Sequence, residues 1–272
     1  MPDLIDLLPM VAMLTVIGGL AGVLAGLLGV GGGIVLVPAL YYAFTYLGYD
    51  SPQLMQVCIA TSLGTILVTS GRSMRTHNAR GATDMTVLKT WAPGIVIGAG
   101  VGVLVAARLR SEELQAIFGV LGVVVGLYMA FGRAHWRLGD RMPGLVTRSV
   151  LSPVIGFLSV LMGIGGGSFG VPLMTLYNMP IHRAVGTASG LGLVIAVPSV
   201  LGFLLVDVAE APPLTLGAIN LPAFALVMVA TYVTTPYGVA LAHRMDPKPL
   251  KRVFAVFITL VALNMLRKVV LA

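Results

Sequence analysis

A run of glycines inside apolar sequence, Gly29-Val30-Gly31-Gly32-Gly33, recurs near the middle of the chain as Gly163-Ile164-Gly165-Gly166-Gly167. In each copy a proline, Pro38 or Pro172, stands five residues after the last glycine. Glycine costs a helix interior about 1 kcal/mol relative to alanine. It also lets the backbone turn and approach a ligand closely. Two straight helices cannot run through these segments, so the fold must accommodate two built-in helix breaks.

The surroundings of the breaks set the solvent. The chain is 57% hydrophobic and 10% charged, with a mean hydropathy of +0.98. A soluble domain carries roughly 25% charged residues. Long apolar stretches between short charged loops read as helical spans, not as the ten-residue alternation of an outer-membrane barrel. The net charge of +7 sits in those loops and reads as a topology signal, so no nucleic-acid partner is expected. Cys58 is the single cysteine, which excludes an internal disulfide and a cysteine-based metal site. No metal or cofactor is expected. The N-terminus lacks the basic region of a cleaved signal peptide, and the first apolar segment reads as mature protein.

Span candidates fall at 10–28, 34–47, 54–70, 88–107 and 114–132, then at 149–162, 168–179, 184–205, 219–242 and 251–268. Basic loops carry Arg72, Arg75, His77 and Arg80, and then Arg133, Arg137, Arg141 and Arg148. The halves match beyond the glycines: Ala60-Thr61-Ser62-Leu63 parallels Gly186-Thr187-Ala188-Ser189, and Arg108 to Leu114 parallels Arg244 to Leu250. The chain therefore reads as one domain over residues 1–272, with repeats at about 10–132 and 149–268.

Arms of about 21 and 18 Å around the second break, at 1.5 Å per residue, are short against a core of roughly 30 Å. A re-entrant hairpin with its break at depth fits better, provided the break is buried in protein or lines a cavity. With a hairpin plus three spans per half, one side collects 13 of the 17 Lys and Arg residues. With a single crossing per glycine segment the split is only 10 to 7. The positive-inside rule favours the hairpins. Three spans per half make the repeats inverted, with the N- and C-termini outside the cytoplasmic membrane. The expected fold is an all-α polytopic membrane protein of two inverted repeats, each a re-entrant glycine-broken hairpin plus three transmembrane helices.

The paired G-[VI]-G-G-G-x-x-x-[VL]-P segments, each followed by a small-Thr-Ser element, resemble the TauE/SafE family, also called the toluene sulfonate uptake permease family. The resemblance spans about residues 10–268. It implies a transporter, mostly exporting and sometimes importing, for organosulfonates such as taurine or sulfoacetate, sulfite and related sulfur anions. Two departures separate the halves: Ala60-Thr61-Ser62 stands against Gly186-Thr187-Ala188-Ser189, and only the first half has the longer Tyr46–Gln53 link.

Inverted repeats with broken helices place a substrate near the midplane. The second arm of each hairpin starts near Ile34 and Ser168, and a helix N-terminus offers free N–H donors and partial positive charge to an anion. Candidate substrate contacts are Gly31, Gly32, Gly33, Ile34, Thr61 and Ser62, with Gly165, Gly166, Gly167, Ser168, Thr187 and Ser189. Competing readings are close helix packing for the glycines and hydroxyls bonded back to their own helices. His182 and Arg183 stand at a cytoplasmic mouth as entry or gating residues. Tyr41, Tyr42, Tyr46, Trp91 and Trp136 read as interface anchors, and Asn264 as a bond between helices.

No acid falls clearly inside a span, Asp84 coming nearest, so a proton relay through carboxylates is unsupported. A histidine route for a coupling proton and facilitated diffusion both stay open, as does a homodimer in the bilayer. No residues suited to an intramembrane enzyme are visible, and Gly29 to Gly33 lacks the Lys-Thr ending of a nucleotide-binding loop. A channel for another small oxyanion or carboxylate uses the same features.

Overall fold

The computed structural model describes residues 4–28, 32–132, 136–244 and 247–271. They form ten helices. The first half contributes α1 (Leu4–Leu28), α2 (Gly33–Tyr46), α3 (Leu54–Ala79), α4 (Met85–Ala106) and α5 (Ser111–Phe131). The second contributes α6 (Leu145–Leu161), α7 (Gly167–Leu176), α8 (Ile181–Phe203), α9 (Leu221–Arg244) and α10 (Pro247–Leu271). The chain is an all-α polytopic membrane protein. Helices α3, α4, α5 and α8 and the Leu221–Gly238 part of α9 are long and apolar enough to cross a bilayer, and α10 has 25 residues. The second arms are short, 14 residues for α2 and 10 for α7.

Helices in lipid must satisfy their polar groups internally. The hydroxyls of Thr65, Thr69 and Thr76 on α3 each bond a carbonyl four residues back. The start of α4 is capped by Asp84, whose Oδ1 accepts from the N–H groups of Thr86 and Val87, both at 3.0 Å.

The helices pair in a pattern that repeats when α1–α5 and α6–α10 are exchanged. Helix α1 packs on α9 as α6 packs on α4; α2 lies on α3 as α7 lies on α8; α3 meets α8 and α5 meets α10. Each hairpin's first arm thus lies against a helix of the other half. Glycines make these approaches close, as expected where lipid supplies no hydrophobic drive and packing must hold helices together. A Cβ on Gly98 of α4 would run into the Pro153 carbonyl of α6, and one on Gly238 of α9 into the Val23 carbonyl of α1. Along α5, Gly119, Gly122 and Gly126 bring α10 residues Leu266, Ala262 and Thr259 into contact.

Several expectations change. Helix α3 runs to Ala79, so Arg72, Arg75 and His77 lie on a helix and not in a loop. Arg72 supports this extension by stacking its guanidinium 3.9 Å from the centroid of the Tyr232 ring of α9, a cation–π contact. Trp91 and Tyr41 are core residues, 1% and 7% exposed, not interface anchors. Trp136 and Tyr46 are exposed. Between α8 and α9 a two-stranded antiparallel hairpin pairs Thr215 with Asn220 and Leu216 with Ile219. Its turn uses Gly217 at φ +57°, and Ala218 N–H ties it to the Phe203 carbonyl at the end of α8.

Candidate functional site

At the second break, α6 ends in a turn closed by two backbone bonds, Gly163 N–H to Val160 O and Ile164 N–H to Ser159 O, both 2.9 Å. Gly163 adopts φ +62°, the left-handed conformation that glycine takes without a Cβ penalty. Helix α7 then starts at Gly167, with Gly170 N–H donating to Gly166 O at 2.8 Å. Among the described residues no acceptor takes the N–H groups of Gly165, Gly166, Gly167 or Ser168. At the first break, Gly32 stands at φ +72° and its carbonyl accepts from Val35 and Leu36 to begin α2. Gly31 lies outside the described residues.

The two breaks meet. A Cβ on Gly33 would lie 2.7 Å from Gly163 O and 3.0 Å from Ile164 Cα. Helix α3 joins them, because the Ser62 hydroxyl donates to Gly163 O at 2.8 Å. One on Gly163 would lie 3.0 Å from Ile59 Cα, also on α3. On the far side, α8 backs the second break, with Ala188 O only 2.6 Å from a Cβ built on Gly166. Residues 32–38 and 159–168 are all buried. Two helix N-termini, those of α2 and α7, are therefore brought together inside the protein, where low dielectric strengthens whatever their dipoles offer.

The expected site residues separate into two groups. Gly32, Gly33, Ile34, Gly165, Gly166, Gly167 and Ser168 gather at the junction, together with Ser62. Thr61 and Thr187 stand apart as a matched pair of anchors. Thr61 Oγ1 on α3 accepts from Asn220 N–H at 3.0 Å, and Asn220 Oδ1 caps Ala223 at the start of α9. Thr187 Oγ1 on α8 accepts from Asp84 N–H at 2.8 Å and donates to Arg183 O at 2.8 Å. Each small-Thr-Ser element thus fixes the N-cap of a helix from the other half. Ser189 bonds Gly186 O of its own helix at 2.7 Å.

His182 and Arg183 are exposed at the start of α8, and Arg183 Nη2 pairs with Asp84 Oδ2 at 3.1 Å. Asn264 bonds Tyr42 Oη at 2.7 Å, joining α10 to α2 as expected. Sequence reasoning passed over Ser70 and Gly192, which face each other beside Gly166: a Cβ on Gly192 would lie 2.6 Å from Ser70 Oγ. The one available signal was spacing, since Ser70 stands two helical turns beyond Ser62 on the same α3 face. Among the described residues no group of His, Cys, Asp and Glu is placed to hold a metal ion.

The family described as "Sulfite exporter TauE/SafE" matches residues 14–265. The chain belongs to that family. It is 30% identical over 254 residues to a probable membrane transporter protein of Haemophilus influenzae, covering 93% of this chain and 96% of that one. A probable membrane transporter protein of Methanocaldococcus jannaschii is 24% identical over 265 residues, covering 96% and 97%. The probable membrane transporter protein YunE of Bacillus subtilis is 30% identical over 195 residues, covering 65% and 71%. No solved structure matches. This TauE/SafE member is a multi-pass membrane protein from a family of transporters.

Proposed function

We propose that this protein exports a small sulfur-containing anion, an organosulfonate or sulfite, across the cytoplasmic membrane. The anion is held at the midplane between the N-terminal ends of α2 and α7. The observation that carries this reading is that buried Gly32 and Gly33 meet the buried second break, where consecutive backbone N–H groups have no acceptor among the described residues. Such N–H groups and helix dipoles suit an oxyanion. They bind it without a buried lysine or arginine, and a transporter must also release what it binds. The sulfur chemistry comes from the family description and not from the geometry.

In this reading the repeats are inverted, both chain ends face outward, and the Arg183–Asp84 pair with His182 lies at the cytoplasmic mouth. Burial of Gly32, Gly33 and residues 163–167 favours a carrier that closes around its substrate over an open channel. Binding is tested on purified protein by calorimetric titration with sulfite, taurine, sulfoacetate and sulfate, beside amino-acid and cation controls. Saturable binding of a sulfite or sulfonate is the expected result. Binding of cations alone, or of no anion, contradicts the assignment.

A further inference from the structure

The two breaks differ in backbone, Gly32 standing at φ +72° and its equivalent Gly166 at φ −62°, and they differ in the side chains around them. Helix α7 carries Ser168 in its first turn, 4% exposed, with a hydroxyl that meets no hydrogen-bond partner among the described residues. The equivalent residue of α2 is Ile34. Beside α7, α8 presents the bare Gly192, and a Cβ there would lie 2.6 Å from Ser70 Oγ and 3.3 Å from Gly166 N. Gly192 therefore stands closely packed between the Ser70 hydroxyl of α3 and the Gly166 N–H, which has no acceptor among the described residues. At the position of α3 that matches Gly192 stands Ile66, whose Cδ1 comes within 2.8 Å of a Cβ built on Gly33 and fills the space beside the first break. The position of α8 that matches Ser70 is Ala196.

Three equivalent positions thus differ in the same sense. Beside the second break they are Ser168, Gly192 and Ser70; their equivalents in the sequence are Ile34, Ile66 and Ala196, of which Ile66 reaches both breaks, its Cγ2 lying 3.2 Å from a Cβ built on Gly165. A buried hydroxyl left without a partner is costly and calls for an explanation, and an oxyanion bound at the α7 terminus supplies its missing acceptor. We infer that the anion site is one-sided. The substrate's oxygens are held by the second break, through Gly166 N–H, Ser168 Oγ and Ser70 Oγ, and the first break closes the site as an apolar wall through Ile34 and Ile66. Sulfite, with three acceptor oxygens on one pyramidal centre and no substituent, matches this division better than taurine or sulfoacetate, whose substituents are charged. The inference rests on the anion-transport reading above and narrows it to one face and to two hydroxyls.

The test is calorimetric titration of the full chain in lipid nanodiscs with sodium sulfite, taurine and sulfoacetate in turn. Wild type is compared with Ser168→Ala and Ser70→Ala, and each apo melting temperature is recorded. A hydrogen bond to a charged ligand supports a loss of about tenfold or more in affinity for each variant. Apo Ser168→Ala should melt at or above wild type, because it removes an unpaired buried hydroxyl; a merely structural serine would lower it. If wild type binds an anion and both variants bind it within twofold, the one-sided site is overturned while anion transport stands. If wild type binds none of the three anions, both are overturned.

Discussion

Thr61 and Thr187 show how one residue type serves the fold where its sequence context suggests a ligand. Each hydroxyl accepts a backbone N–H from an N-cap residue of the other half, Asn220 or Asp84. Replacing either with valine keeps the shape and leaves an N–H without its partner, buried at Asn220 and partly buried at Asp84. Thr61→Val and Thr187→Val are each expected to cost about 1–3 kcal/mol, read as a lowered melting temperature of the purified protein. The two caps differ in charge. Asp84→Asn keeps the capping oxygen and loses only the partly exposed pair with Arg183, which supports a cost below about 1 kcal/mol. Asp84→Ala loses the cap as well and should destabilise by about 1 kcal/mol more. Equal melting of the Asn and Ala variants would show that the cap contributes nothing.

At the scale of helices, the glycines divide by what their missing side chains would meet. Gly98 lies under the Pro153 carbonyl of α6, whereas two residues on, Gly100 has nothing within 4 Å of a Cβ. Gly98→Leu should therefore abolish folded, monodisperse protein in detergent, while Gly100→Leu on the same helix should purify and melt like wild type. Size-exclusion profiles and melting curves of the pair check this. Much of this scale was legible in the sequence, because apolar length gives spans directly and the doubled glycine-proline pattern marks where helices break. Helix ends were less legible. Arg72, Arg75 and His77 look like a loop from their charge, yet α3 continues through them, and Arg72 stacks on the Tyr232 ring of a distant helix. Trp91 likewise looks like an interface anchor, and tertiary packing buries it. At the site, the glycines and Ser168 were visible as a motif. Ser70 and Gly192 were not, since their meaning arises only when α3 and α8 cross beside Gly166.

Across the whole molecule, the helix contacts repeat when α1–α5 and α6–α10 are exchanged, and the proposed topology adds that the two halves are oppositely oriented. The single cysteine makes its orientation testable. Cys58 is fully buried, so in a Cys58→Ser background one introduced cysteine reports one position. Arg110→Cys is expected to react with an impermeant maleimide on intact cells, and Arg141→Cys only after permeabilisation. The reverse labelling would invert the assigned topology, and labelling of both from one side would break the odd span count per half. Orientation alone leaves the cargo open, and the central claim concerns the cargo. The most direct measurement is flux of radiolabelled sulfite and taurine through proteoliposomes of the purified protein, with empty liposomes as the baseline. The account predicts protein-dependent flux that saturates with concentration and is competed by unlabelled sulfonates but not by amino-acid cations. Flux no faster than in empty liposomes, or flux of cations in place of these anions, would contradict it.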